Sequence, residues 1–235
     1  MPDTRIYSPE CLTISLGAGC ELSCSYCYAR AEGKKLPERT LSDKDYISCV
    51  DSAAAIVAKS CIEKGNPFNF GVQGAGEPLR DFELLVNTWN ILSKRCNNSG
   101  LQMQSFITTN GQQSQERYQW LAAHFSRICV SVDGPEELHN IQRTSSEPIK
   151  DFNRLKRNLN ILRSHGSTPV CRSTITRHNA DKQKELVEYL HNELGFTSLQ
   201  FEPVYALSGQ SDLHPEPEIF VENFLAAHRE AISRG

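Results

Sequence analysis

Six short apolar runs, Leu12 to Leu16, Phe68 to Gln73, Gln102 to Ile107, Ile128 to Val132, Thr168 to Ile175 and Leu199 to Pro203, alternate with longer stretches in which apolar residues recur at steps of three and four. Strand-period segments alternating with helix-period segments are what repeated βα units produce, so the sequence predicts an α/β fold built on a parallel sheet. Phe152, Leu155, Leu159 and Leu162 form one helical face and Leu186, Leu190 and Leu194 another, and such faces need a sheet to cover. Ser42 with Asp43, Asp81 and Asn179 stand where helices should begin, and Gly166 and Gly195 where they should stop. After the turn-like patch His214 to Pro217, a last helix is expected from about Glu216 to Ser233, with Ile219, Phe220, Phe224 and Leu225 on one side. Six parallel strands joined by right-handed crossovers make either an open barrel or a doubly wound sheet, and both build their sites from loops at the C-terminal strand ends.

Those loops hold the unusual residues. Directly after the first run comes Gly17-Ala18-Gly19-Cys20-Glu21-Leu22-Ser23-Cys24-Ser25-Tyr26-Cys27-Tyr28, a C-x3-C-x2-C pattern. Closely spaced thiolates suit an iron-sulfur cluster, and a four-iron cubane normally takes four of them, so three leave one iron open for chemistry. The rival is a structural zinc site, which needs four ligands and commonly draws them from paired C-x2-C units. There is no second pair, and His124 or His139 would have to serve as the fourth ligand.

Bulk composition narrows the partners. At 235 residues with 39% hydrophobic and 23% charged residues, the chain has the size and make-up of one globular domain. A net charge of -3 provides no polycationic face for nucleic acid. The N-terminus lacks a basic start followed by an apolar core, and no stretch approaches the roughly 18 apolar residues of a spanning helix, so no membrane partner is expected and the cytoplasm is the expected location. Nine cysteines, an odd number, in a chain of this size fit reduced thiols or metal ligands better than a disulfide framework. Cys11, Cys49, Cys61, Cys96, Cys129 and Cys171 are dispersed singly and read as small buried hydrophobes.

The spacing of Cys20, Cys24 and Cys27, with the aromatic Tyr26 before the third, resembles the signature of the radical S-adenosylmethionine (SAM) superfamily. Later strand ends extend the resemblance. Gln73-Gly-Ala-Gly76-Glu77-Pro78 is similar to the family's Gly-Gly-Glu-Pro motif, with Ala75 in place of one glycine. Thr108-Thr109-Asn110-Gly111 is similar to its Thr-Asn-Gly turn. Ser131-Val-Asp133-Gly-Pro, followed by His139 and Arg143, resembles the sulfatase-maturase and peptide-maturase branch, although Asn140 stands where that branch usually has Asp. The resemblance implies a partial (βα)6 TIM-type barrel, the radical SAM core. It also implies a [4Fe-4S] cluster on Cys20, Cys24 and Cys27, and SAM bound by Tyr26, Gly76, Glu77, Asn110, Ser131, Asp133, Arg143 and Glu202. Ser131 and Arg143 are assigned to the methionine carboxylate, which guanidinium pairs with bidentately. Glu202 has a bland alternative, a pairing with Arg172, and His139 a default role in capping or packing.

In this family the reduced cluster cleaves SAM to a 5'-deoxyadenosyl radical that abstracts hydrogen from substrate. The branch implies a peptide or protein substrate and a one-electron reductant of the flavodoxin or ferredoxin type. A small-molecule metabolite is the alternative substrate, and a non-catalytic iron-sulfur or zinc-binding module the alternative of another class. Residues 1–235 read as a single core domain, either working with one cluster or truncated before a C-terminal cysteine-rich domain. Neither a Gly-x-Ser-x-Gly elbow nor a His-Glu-x-x-His motif is present.

Overall fold

The structure is a computed structural model that describes residues 8–29, 39–204 and 211–234, apart from the side chains of Ile149 and Ser211. Its elements are β1 (Cys11–Ile14), β2 (Ser23–Cys24), α1 (Asp43–Lys64), β3 (Phe68–Val72), α2 (Phe82–Asn98), β4 (Met103–Thr109), α3 (Gln115–His124), β5 (Arg127–Ser131), α4 (Glu136–Gln142), β6 (Arg143–Thr144), α5 (Pro148–Ser164), β7 (Val170–Ile175), α6 (Gln183–Asn192), β8 (Leu199–Pro203) and α7 (Pro217–Ser233). Six of the strands form one parallel sheet in the order β1-β3-β4-β5-β7-β8. The spatial order follows the chain, whereas a doubly wound sheet reverses direction at a switch point. Uniform right-handed crossovers then put every helix on one side, the arrangement of an open barrel.

Alternation along the strands gives the sheet two unlike faces. Phe68, Phe70 and Val72 of β3, Ile107 of β4, Ile128 and Val130 of β5, and Cys171 and Ile175 of β7 are buried in one cluster with helix residues such as Leu85, Leu121, Leu155 and Leu190. The alternate positions carry Thr13, Gln104, Thr108, Ser131, Arg172, Thr174, Gln200 and Glu202, together with Gly71, Phe106, Cys129 and Val170. A parallel sheet is ordinarily apolar on both faces. Here the face away from the helices carries polar and charged side chains among the apolar ones, most densely on β7 and β8, a mixture that suits a ligand-binding face.

Local chemistry accounts for most boundaries. The Ser42 hydroxyl accepts from the Asp45 amide and caps α1, and Gly65, at φ 69, ends it in the left-handed region. Gly166 and Gly195 follow α5 and α6 as expected. Asp81 occupies the cap position of α2 without a side-chain capping bond. Asn179 does not start α6: its Oδ1 accepts from the Thr176 amide, and a 3-10 turn over Ala180–Lys182 comes first. Cys61, Cys96, Cys129 and Cys171 are buried, but Cys11 and Cys49 are exposed. The last helix spans Pro217–Ser233, as expected. It lies against α6 rather than on the sheet, so Ile219, Phe224 and Leu225 remain 43%, 39% and 49% exposed. No helix among the described residues is long and apolar enough to cross a membrane.

Leu155 is fully buried, and its side chain would lie 2.8 Å from a Cβ added to Gly111, so it ties α5 to the turn after β4. Leu155→Ala should cost about 2–5 kcal/mol of stability in urea denaturation. A loss below about 1 kcal/mol would contradict this packing.

Candidate functional site

Two glycine-containing turns interlock at the top of the sheet. The turn after β3 brings Gly76, at φ 82, so close to the loop after β1 that an added Cβ would sit 2.6 Å from the Gly19 carbonyl oxygen and 2.7 Å from that of Gly17. The next amide, Glu77 N–H, donates to that same Gly19 oxygen at 2.8 Å. Both the φ and the space exclude a side chain at Gly76. The alanine of the Gly-Ala-Gly-Glu segment falls one place earlier, at Ala75, between Gly74 and Gly76.

Glu77 is 3% exposed and its carboxylate is fully engaged within the protein. Oε1 accepts from the Leu79 amide at 3.2 Å and the Thr109 hydroxyl at 2.8 Å, and Oε2 accepts from the Asn110 amide at 2.8 Å. Burial pushes its pKa up to about 7 against these hydrogen bonds. Glu77 therefore caps the turn at Pro78 and fixes Asn110. Asn110 in turn donates from Nδ2 to the Cys20 sulfur at 3.6 Å and accepts the Gln112 amide at Oδ1.

A second anchor crosses from the other side. The short strands β2 and β6 pair antiparallel, Ser23 with Thr144 and Cys24 with Arg143, and the Ser25 amide donates to the Gln142 carbonyl at 2.9 Å. This ladder ties the cysteine loop to the segment after α4. Beneath it, Arg143 donates from Nε to Asp133 Oδ2 at 2.9 Å and from Nη2 to Oδ1 at 3.2 Å. The Tyr26 hydroxyl donates to Oδ2 at 2.7 Å, and the Thr174 amide donates to Oδ1 at 3.0 Å. The Arg143 guanidinium lies over the Tyr26 ring, 5.5 Å from its centre. Asp133 is fully buried and Arg143 is 8% exposed. Burial discourages the charge on Arg143, but the Asp133 carboxylate overcomes it and raises the pKa above the usual arginine range. Burial also holds the Tyr26 hydroxyl well above its ordinary pKa.

His139 packs edge-on against Phe152 and accepts the Asp133 amide at Nδ1, 3.4 Å. It is 2% exposed, and burial with the neighbouring Arg143 lowers its pKa to about 4. His124 stacks on Trp120 and meets Trp89 edge-on. Both histidines are thus packing residues. Ser131 ends β5, and Glu202 on β8 takes the pairing with Arg172, donated from Nε at 3.0 Å and from Nη2. The structure therefore gathers Tyr26, Asp133 and Arg143 into one network and Cys20, Gly76, Glu77 and Asn110 into another, with Glu202 in neither.

None of the nine cysteines is in a disulfide. Burial pushes the Cys24 thiol up to about 11, opposed by the Arg143 cation, and the Cys20 and Cys27 sulfurs are near enough to be felt there. Burial also raises the Cys20 pKa. Among the described residues no three His, Cys, Asp or Glu side chains are drawn together as a metal site. The donor chemistry fits a thiophilic metal group all the same: three thiols share an eight-residue loop that is anchored at both ends, and a bound metal would displace their protons.

The sequence reading missed the second tier. Gln142, Thr176 and Asn179 support the Asp133 network through side-chain bonds, two of them accepted by the Thr174 carbonyl, and Gln113 holds Glu21 of the cysteine loop at 2.7 Å. Single polar residues in loops carry no periodic signal. The one available clue was the density of Asn, Gln and Thr at strand ends.

The family model described as the Radical SAM superfamily matches residues 14–192. The chain is 25% identical over 219 residues to a cysteine-type anaerobic sulfatase-maturating enzyme of Clostridium perfringens, covering 87% of this chain and 55% of that one. It is 27% identical over 194 residues to the sporulation killing factor maturation protein SkfB of Bacillus subtilis, covering 81% and 42%. Among solved structures, native anSMEcpe with bound AdoMet superposes with a TM-score of 0.76 at 22% identity over 96% of this chain and 61% of that one, which agrees with the partial barrel. The chain spans about half the length of the curated relatives it matches.

Removing Asp133 leaves Arg143 buried without its counter-charge, so Asp133→Ala should cost about 3–5 kcal/mol, against about 1.5–3 kcal/mol for Tyr26→Phe. The double variant should lose little more than Asp133→Ala alone, because Tyr26 has then already lost its acceptor. Additive losses in urea denaturation would show that the two do not share one network. His139 supplies a pH test. Its folded pKa of about 4 lies below the unfolded value near 6.5, so the unfolded chain takes up the proton first. Stability is then complete above about pH 6.5 and is lost as pH falls toward 4. Glu77 acts oppositely between its ordinary range and 7, so comparison with His139→Gln isolates the histidine. A wild type and variant with parallel pH profiles would contradict its neutral burial.

Proposed function

The chain belongs to the radical SAM superfamily, and on that premise we propose that it is a radical-generating enzyme that modifies a peptide or protein side chain. The cofactors of this family are a [4Fe-4S] cluster and SAM; together they supply reductive cleavage of the sulfonium, giving methionine and a 5'-deoxyadenosyl radical that takes hydrogen from substrate. The observation that carries the proposal is the C-x3-C-x2-C loop, anchored through Gly19 on one side and through Tyr26 and the β2-β6 ladder on the other.

In this reading Cys20, Cys24 and Cys27 hold the cluster, and the protein's task is to place SAM and substrate and to keep water out. Gly76 lets backbone approach the ligand, and Asn110 lies beside Cys20. Ser131 and Arg143 receive the methionine carboxylate. Asp133 takes only Nε and Nη2 of the guanidinium, and Nη1 has no acceptor among the described residues. Glu77, Tyr26 and Asp133 then act through others: Glu77 sets Asn110, while Tyr26 and Asp133 set Arg143 and the loop. A peptide or protein substrate is supported by the maturases among the relatives. A small acidic electron carrier of the flavodoxin or ferredoxin type would supply the electron, and a cytoplasmic location suits nine cysteines without a disulfide. Residues 1–235 are taken as one core domain.

Anaerobic reconstitution with iron and sulfide should yield about four irons per chain, and Cys20→Ala, Cys24→Ala and Cys27→Ala should each lose the cluster. Full iron retention in the three variants would overturn the assignment.

A further inference from the structure

The sheet face away from the helices carries an ion pair, Arg172 with Glu202, that lies outside both networks of the site. Cys171, Ser173 and Ile175 are buried on the helix side of β7, which leaves Arg172 and Thr174 on the other face. The register sets Arg172 between Ser131 of β5 and Gln200 of β8, with Thr174 beside Glu202. Glu202 is nearly saturated with donors. Its Oε2 accepts from both Nε and Nη2 of Arg172, and its Oε1 accepts from Gln200 Nε2 at 2.5 Å. Arg172 is not saturated, since Nη1 has no acceptor among the described residues. Among the described residues, what the pair still lacks is an acceptor.

Each side chain of the pair is 38% exposed, and a solvated ion pair contributes about 0–1 kcal/mol to folding. Stability is therefore a weak reason for placing two charges on a strand face. Their surroundings suggest a better one. The guanidinium is held from behind by Glu202 and stands opposite Ser131 at the C-terminal end of β5. Arginine recognises a carboxylate through parallel N–H bonds when its plane is fixed in advance.

We propose that Arg172 binds a carboxylate of the substrate, with Glu202 and Gln200 as positioning residues that hold the guanidinium. The inference rests on the radical SAM reading, because that reading brings a substrate to this face. The carboxylate belongs to an acidic side chain of a peptide or to a free metabolite. In either case Glu202 serves substrate selection rather than SAM binding.

The test uses the full chain reconstituted with its cluster and measures binding by calorimetry. The probes are two synthetic nonapeptides identical except for a central Glu or Gln, and N-acetylglutamate. The Glu peptide should bind about tenfold more tightly than its Gln twin, and R172Q should abolish the difference. N-acetylglutamate binding as well as the Glu peptide would assign the carboxylate to a small molecule and still support the site. Should R172Q fail to fold, the charge-swapped R172E/E202R chain gives the answer by preferring a central Lys over Gln. Equal affinities for Glu and Gln peptides, no binding by any probe, or unchanged discrimination in R172Q would overturn the proposal. Binding is read without SAM cleavage, so its failure is distinguishable from failure of the radical chemistry.

Discussion

The bidentate bond between Arg143 and the fully buried Asp133 is the interaction on which the upper face of this molecule depends. Two charges taken out of water cost several kcal/mol each, and their attraction repays this only when the remaining lone pairs are satisfied. Here they are: the two Asp133 oxygens accept four bonds, from Arg143 twice, from the Tyr26 hydroxyl and from the Thr174 amide. The three donor residues come from different parts of the chain, so one carboxylate joins the cysteine loop, the α4–β6 segment and β7. The antiparallel pairing of Cys24 with Arg143 follows from the same placement.

Glu77 does the corresponding work across the site with a different balance of charge. It too is buried and accepts backbone amides, but among the described residues no cation forms an ion pair with it, and its pKa rises to about 7. The cysteine loop is thus suspended between a charge-paired carboxylate and a carboxylate held by neutral donors. Gly76 makes the second suspension possible by admitting backbone against backbone. The loop itself, with its three sulfurs, is left partly exposed between these anchors.

Much of this was legible in the sequence. Period alone located the sheet strands and the covering faces of α5 and α6, because apolar residues at strand and helix spacing have one economical solution, a helix layer on a sheet. The cysteine loop and the residues at the ends of β3, β4 and β5 stood out by spacing and kind. What the sequence did not display was which polar atoms meet. Asp133 and Arg143 are ten residues apart, and nothing in that interval marks them as partners rather than as two separate ligand contacts. The two-residue strands β2 and β6 are too short to have a period. Exposure on α7 was illegible for a related reason: spacing puts Ile219, Phe224 and Leu225 on one side, but burial depends on a neighbour, and α6 covers only part of that helix.

The central claim is that this anchored loop holds a group that generates a radical from SAM. It is tested most directly by incubating the anaerobically reconstituted chain with SAM and dithionite and measuring 5'-deoxyadenosine. The account predicts formation of 5'-deoxyadenosine that is abolished when Cys20, Cys24 and Cys27 are replaced together. A chain with an intact, reducible cluster that forms none, or equal formation by the cysteine-free variant, would contradict it.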